Sequence, residues 1–440
     1  MASAATAPDV RLNVIPTIAR VAMVTVHTSP LSALGGPDAG GLTVYVMALA
    51  EQLAASGIAV DIFTRRFDTT TPDVVEISPG IRVITLTAGP AEPVPKDDLY
   101  CLLSDFASEM ALFALENGVR YDIIHTHYWL SGWVGKILKR YWDVPVVHMY
   151  HTLAHLKNQA SPNGVRESSL RLRVERELVE VVDQIVAPNP DEHAELIWRL
   201  GAGNCRVCTL PPGINLERFQ PADASEARKQ LGLPDAPTVL FVGRIDPIKD
   251  IDTLIEAVAL LHRQNAPELR PYLLIVGGEL DDDGRPTGAL ARVEQRAREL
   301  GIADAVRYLG SRPQEDLPQI YAAASVCAVS SRYESFGLVA VEAMACGTPV
   351  VATRVGGMRF TIEEDVSGVL VPPGDPEAMA AGINRILLDR DFHASLQVGA
   401  RQAAIRFSWH TVGAAMMQVY ERLAAGEALG PRITRSIYAS

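Results

Sequence analysis

Glu334 and Glu342 stand eight residues apart around Ser335, Phe336, Gly337 and Leu338, in the stretch Glu334-Ser-Phe-Gly-Leu-Val-Ala-Val-Glu342. The apolar run 327–330 before them reads as a short strand. The segment after them reads as a helix that stops at Gly347, with Pro349 just beyond. Ser335 has the residue type of an N-cap. A loop of small residues feeding a helix leaves backbone N–H groups free at its start, and the helix dipole favours an anion there. Glu342 follows Ser335 by seven residues, two turns down the same face, within reach of hydroxyls on the same ligand. Phosphate donors beside two carboxylate acceptors suit a molecule that carries both phosphates and sugar hydroxyls. A glutamate before a helix also commonly does no more than complement its dipole, so the block needs a second signal.

That signal is Val239-Leu-Phe-Val-Gly243-Arg244-Ile-Asp-Pro-Ile-Lys249. Four apolar residues make a buried strand that Gly243 ends. Arg244 then sits at the carboxyl end of that strand, the ligand edge of an open parallel sheet. Lys249 comes five residues later, where a helical run over 251–262 begins. A planar guanidinium fork and a mobile ammonium together suit a diphosphate.

In the other half of the chain Asp38-Ala-Gly40-Gly41 precedes a helical run from Leu42, and Thr43 follows the glycines. Two glycines permit a tight turn and close backbone approach to an anion or a sugar, although a plain turn accounts for them equally. His151-Thr152 follows an apolar strand. Local spacing alone makes Lys96 a solvated loop charge and Arg171, beside Arg173 and Arg176, an exposed helix residue.

Gly243-Arg244…Lys249 with Glu334-Ser-Phe-Gly-Leu…Glu342 resembles the nucleotide-sugar signature of glycosyltransferase family 4, retaining enzymes of the two-domain GT-B fold. His27-Thr-Ser-Pro-Leu, Asp38-Ala-Gly-Gly41, Tyr121-Asp-Ile-Ile-His125-Thr-His-Tyr-Trp-Leu-Ser-Gly132 and His151-Thr-Leu-Ala-His-Leu-Lys157-Asn158 resemble its inositol-phosphate branch, whose neighbours are bacterial sucrose-phosphate synthases. The resemblance runs from about residue 20 to about residue 426. It implies donor contacts at Gly40, Gly41, Arg244, Lys249, Glu334, Ser335, Phe336, Gly337, Leu338 and Glu342, with the main chain of Arg312 at a nucleotide base, uracil by preference. It implies an acceptor phosphate gathered by Lys96, Tyr128, Thr152 and Arg171, with Thr43 and Lys157 alongside. Thr43 stands where the branch typically has an asparagine.

The resemblance further implies front-side, dissociative transfer, in which the leaving diphosphate helps deprotonate the acceptor hydroxyl. Arg244, Lys249 and the loop N–H groups then stabilise the diphosphate, Glu334 holds the donor hexose and His151 lines the reacting centre. No metal site and no cofactor beyond the nucleotide-sugar substrate are implied. A divalent-cation requirement, a homodimer, and glucose against N-acetylglucosamine as the transferred sugar stay open. The rival acceptor is fructose 6-phosphate, and a rival of another class is a non-catalytic nucleotide-sugar-binding protein. Neither G-x-x-x-x-G-K-[ST] nor a well-placed G-x-G-x-x-G is present, which excludes the common P-loop and dinucleotide patterns.

These motifs need an α/β frame. At 440 residues two cores are expected, and 48% hydrophobic with 21% charged residues describes a globular chain. A net charge of −12 argues against nucleic acid as a partner and against a polybasic membrane anchor. No run is long enough to be a transmembrane helix, and residues 1–19 read as a tail rather than a signal peptide. Five sparse cysteines, including Cys205-Arg-Val-Cys208 without a second ligand pair, point to a reduced cytoplasmic protein.

Strands over 20–26, 59–64, 82–86, 123–126, 144–148, 184–187 and 206–210 alternate with helical stretches, which implies a parallel sheet covered on both faces over 20–218. The rhythm restarts at Thr238 with strands near Val239, Tyr272, Val306, Val326, Val350 and Val369, a second unit over 219–408. A helix over 409–426, by resemblance, crosses back to the first unit, and 427–440 is a tail. The expected architecture is α/β, two doubly wound Rossmann-like domains facing a cleft.

Overall fold

A computed structural model of the chain describes residues 18–31, 40–161 and 166–427. Residues 1–17 and 428–440 of the expected tails at 1–19 and 427–440, Asp38 of the first glycine loop and residues 162–165 of the 161–168 loop lie outside the described residues.

The first sheet contains β1 (Arg20–Val24), β2 (Ala59–Arg65), β3 (Val74–Ser78), β4 (Ile81–Leu86), β5 (Ile123–His127), β6 (Val146–Met149), β7 (Gln184–Ala187) and β8 (Val207–Thr209), in the order β3-β4-β2-β1-β5-β6-β7-β8. The second contains β9 (Thr238–Val242), β10 (Tyr272–Val276), β11 (Val306–Gly310), β12 (Val326–Val329), β13 (Val350–Thr353) and β14 (Val369–Val371), in the order β11-β10-β9-β12-β13-β14. Runs such as Val-Ala-Met-Val in β1 and Val-Leu-Phe-Val in β9 are apolar without alternation because helices cover both faces of each sheet. Both sheets change direction beside their first strand, so β1 and β5, and β9 and β12, flank a crevice at their carboxyl ends.

The first sheet is not purely parallel, contrary to the alternation rule applied above. β3 runs antiparallel to β4 as a half-exposed edge strand, and Ser78-Pro79-Gly80, with Gly80 at φ 86°, makes the hairpin between them. The last long helix, Trp409–Ala424, is capped by Ser408 and packs against the helix Gly41–Ala55. The Trp409 ring lies 5.4 Å from Tyr45, and the Tyr420 hydroxyl is 2.6 Å from His125 Nδ1 beneath the first sheet's crevice. No helix among the described residues is long and apolar enough to cross a membrane.

Candidate active site

The motifs of the second half meet at the ends of β9, β10 and β12. Gly243 terminates β9, and its N–H reaches Val276 O at 2.9 Å. A Cβ on Gly277 would fall 1.9 Å from Gly243 O, so the Gly277-Gly278 pair after β10 is what lets the two strand ends touch. The Arg244 guanidinium is half exposed and 4.0 Å from Asp246. Lys249 forms an ion pair with Glu334, both largely buried. A second Gly-Gly, Gly356-Gly357 after β13, presses on the Glu334 loop from behind. Gly357 N–H donates to Glu334 O at 2.9 Å, and a Cβ on Gly356 would meet the same oxygen at 2.2 Å. Neither Gly-Gly pair was singled out from the sequence, although one directly follows an apolar strand and the other comes two residues after one.

The helix Leu338–Ala345 starts from Gly337, whose φ of 92° is open to glycine and costly for other residues. Ser335 therefore does not cap it, contrary to the expectation from residue type. Its hydroxyl turns toward the first half of the chain and donates to His151 O at 2.7 Å. Phe336, expected among the donor contacts, has its side chain buried in the core, the ring 5.3 Å from Phe407. Glu342, expected to accept from ligand hydroxyls, lines the cavity between the halves. It is buried, accepts from Tyr321 OH at 2.7 Å and from Gln314 Nε2 at 3.3 Å, and burial pushes its pKa up to about 7.

Between the halves lies a cavity of about 480 Å³, lined by Gly40, Gly41, Gly243, Arg244, Arg312 and Glu342 among others. The N-termini of two helices, Gly41–Ala55 and Leu338–Ala345, face each other across it, and a Cβ on Gly41 would lie 3.3 Å from Leu338 Cδ1. Such a pocket offers backbone N–H groups and a guanidinium to anionic oxygens, and a carboxylate to hydroxyls. Thr43 lies outside it: it contacts Thr28 at 3.4 Å and lines a smaller cavity of about 200 Å³ with Arg218 and Trp409.

At the ends of β5 and β6 two non-glycine residues, Tyr128 (φ 75°) and His151 (φ 61°), adopt left-handed conformations side by side. Such geometry costs of order 1–3 kcal/mol for each residue and concentrates at functional sites. Arg171 is buried, not exposed as its helix neighbours suggest. It reaches Tyr128 OH at 3.0 Å, Thr152 O at 2.6 Å, Thr152 Oγ1 at 3.0 Å, Glu175 at 2.7 Å and Glu167 at 2.8 Å. All five of its N–H groups are thereby engaged. Lys96 Nζ is 6.0 Å from the Tyr128 ring, and Lys157 pairs with Glu167. The residues that local spacing scattered between solvent and loop form one cluster.

Behind it His151, expected at the reacting centre, meets His127, whose side chain the sequence reading gave no role. His127 Nδ1 and His151 Nε2 are 3.0 Å apart and the His125 ring packs on His127, while His148, on the other face of the sheet, lies 2.8 Å from Thr126 Oγ1. Burial lowers the pKa of all four, that of His151 to about 3, so they are neutral at physiological pH. The contact between His127 and His151 holds one N–H, which ties the tautomer of one ring to that of the other. The signal was the repeated His-Thr-His spacing at the end of a buried strand.

Two doubly wound sheets joined at a cleft, with a terminal helix crossing back, are the GT-B architecture of glycosyltransferases. Residues 39–218 match the family Glycosyltransferase Family 4, and residues 223–403 match Glycosyl transferases group 1. The chain is 45% identical over 410 residues to the D-inositol 3-phosphate glycosyltransferase of Thermobispora bispora, covering 91% of this chain and 94% of that protein. It is 42% identical over 410 residues to the Corynebacterium jeikeium protein of the same name, covering 92% and 97%. The sucrose-phosphate synthase structure from Thermosynechococcus elongatus superposes with a TM-score of 0.85 at 40% identity, covering 93% of this chain and all of that one. The chain belongs to this glycosyltransferase family and is a glycosyl-transfer enzyme of that class.

Proposed function

We propose that the enzyme transfers glucose or N-acetylglucosamine from a UDP-sugar, with retention, to a phosphorylated polyol, D-inositol 3-phosphate in the first instance. The observation that carries this reading is the convergence of Arg171, Tyr128 and Thr152, with Lys96 beside them, opposite a cavity that holds Arg244 and Glu342. The curated relatives' names supply the inositol phosphate. A reduced cytoplasmic setting suits the five free cysteines.

In this reading the nucleotide lies along the cavity with its base at Arg312 and a ribose hydroxyl on Glu342. The diphosphate sits between Arg244, Lys249 and the N–H groups at Gly41 and Leu338. The bond from the anomeric carbon to the diphosphate oxygen breaks as the bond to the acceptor oxygen forms on the same face, and the acceptor proton passes to the departing diphosphate. Arg244 and Lys249 act on the charge that develops there, an effect that preorganised donors can make worth several kcal/mol. His151 is neutral, so it serves the reacting centre as a hydrogen-bonding partner and not as an acid. Since every N–H of Arg171 is already engaged, the acceptor phosphate takes the place of Glu167, the more exposed of its two carboxylates.

A second reading, glucose transfer to fructose 6-phosphate, is favoured by the 40% identity to a sucrose-phosphate synthase over nearly the whole chain. The test is product mass and anomeric configuration after incubating UDP-glucose or UDP-N-acetylglucosamine with each acceptor. An inositol-phosphate glycoside of α configuration supports the first reading. Sucrose phosphate supports the second, and an inverted product would overturn the retaining mechanism.

A further inference from the structure

Glu192 belongs to none of the motifs above, yet it sits where the two halves of the chain meet. It lies in the first turn of the helix Pro190–Trp198, where Asn189 Oδ1 accepts its N–H at 2.9 Å. Its carboxylate is buried, and its hydroxyl partners both come from the other half: Tyr333 OH at 3.0 Å and Ser335 Oγ. Asn189 Nδ2 donates to Ser335 O at 2.5 Å, and Leu153 N donates to Tyr333 OH at 3.4 Å. Ser335 Oγ also reaches His151 O at 2.7 Å and Tyr333 OH at 2.9 Å.

Counting hydrogens decides how this group is held. Ser335 has one hydroxyl hydrogen and three oxygens in reach of it, His151 O, Glu192 Oε1 and Tyr333 OH. With an ionised Glu192, the hydrogens of Ser335 and Tyr333 alone serve these contacts and that of Tyr333 to the acid. A neutral Glu192 adds a third: the acid donates to Ser335, Ser335 donates to His151 O, and Tyr333 donates to the acid or to Ser335. Burial raises the Glu192 pKa to about 7, which brings the neutral form within reach near neutral pH.

The two loops joined here lead to the two halves of the site. Residues 151–154 continue to Arg171 through Thr152 O at 2.6 Å, and through Ala154 N on Glu175 at 2.9 Å. Residues 333–338 continue to Lys249 through Glu334.

We propose that Glu192 is a positioning residue that joins the acceptor loop 151–154 to the donor loop 333–338, so that filling either half of the site strengthens binding at the other. The proposal rests on the assignment of those halves made above. Coupling of this kind is reciprocal and commonly worth about 5- to 150-fold in affinity.

The experiment titrates the full chain with UDP, with and without saturating D-inositol 3-phosphate, by calorimetry. In the wild type the acceptor should tighten UDP by roughly tenfold. In Glu192→Ala that ratio should fall to about one, with UDP affinity alone within about twofold of wild type. Ser335→Ala, a smaller change, should lose the ratio as well. Glu192→Gln should keep it, because Nε2 in the place of Oε1 can donate to both Ser335 and Tyr333, while Tyr333 donates to Ser335 and Ser335 to His151 O. A purely structural role would move stability in these variants without moving the ratio. Full coupling in Glu192→Ala and Ser335→Ala, or its loss in Glu192→Gln, would overturn the proposal. UDP that binds the wild type indifferently to the acceptor would overturn it while sparing the donor assignment. UDP that fails to bind would overturn the donor assignment itself.

Discussion

Lys249 and Glu334, 85 residues apart in sequence, form an ion pair at the mouth of the cleft. Each balances the other in the absence of ligand, so the two positions act as a unit. Lys249→Ala should lower kcat by about 10²- to 10³-fold with saturating donor, since a cation placed at a leaving group acts chiefly in the transition state. Glu334→Gln should leave UDP affinity near normal and impair transfer. The double variant should lose less than the product of the two single effects, because the partners are in contact. Steady-state kinetics of the four proteins tests this; strict multiplicativity would contradict it.

Glu342 links stability to pH. Its folded pKa, raised to about 7 by burial, exceeds the usual 4.5, so the folded state holds a proton that the unfolded state releases between these values. Stability from this group therefore falls as pH rises from about 4.5 to 7, by up to about 1.4 kcal/mol per pH unit. Glu342→Gln keeps an acceptor for Tyr321 OH and removes the charge. At pH 8 it should raise unfolding free energy by about 1–3 kcal/mol while weakening UDP. Urea denaturation at pH 5 and pH 8 is the check, and an equal change at both would refute the assignment.

The histidine group has the opposite sign. His27, His125, His127, His148 and His151 are all held below the usual imidazole value by burial. Their stabilising effect is present above about pH 6.5 and is lost as pH falls, because the unfolded state takes up protons that the folded state refuses. Five such groups outweigh the raised carboxyls of Glu192 and Glu342. The net slope of stability below pH 6.5 should be positive, and His127→Asn should shallow it. Chemical denaturation across pH 4.5–7 gives the slope directly.

Arg171 and Glu167 set the expected acceptor preference. Arg171→Ala should reduce kcat/KM for a phosphorylated acceptor by about a hundredfold or more, since charge-assisted hydrogen bonds contribute roughly 1.5–3 kcal/mol each. It should affect the unphosphorylated polyol much less, and the exposed Arg176 should matter little. Glu167→Ala should lower the acceptor KM several-fold by releasing Arg171 and Lys157 from their shared carboxylate. A rise in acceptor KM for Glu167→Ala would show that the carboxylate is not displaced.

Much of this molecule is decided by local chemistry. Short apolar runs rich in β-branched residues and bounded by turn residues fit strands buried on both faces, so β1, β9, β10 and β12 and the paired α/β units were legible from patterning. Gly243-Arg244 was placed at a strand end by the backbone freedom of glycine and by where the apolar run stops, whereas the start of the helix Leu338–Ala345 was read from Ser335 and lies at Gly337. The edge strand β3 escaped because its half-exposed residues carry no core signal, although Pro79-Gly80 marked its turn.

What patterning cannot settle is the direction a polar side chain takes when partners from distant segments compete for it. Ser335 has the chemistry of a cap, yet tertiary contact turns it to His151 O, 184 residues away in sequence. Arg171 shares a helix with exposed arginines and differs only in facing Tyr128, Thr152 and Glu175. Phe336 stands between two site residues and packs against Phe407. In each case the competing partners are far apart along the chain, and only the fold fixes which of them lies within hydrogen-bonding or van der Waals reach.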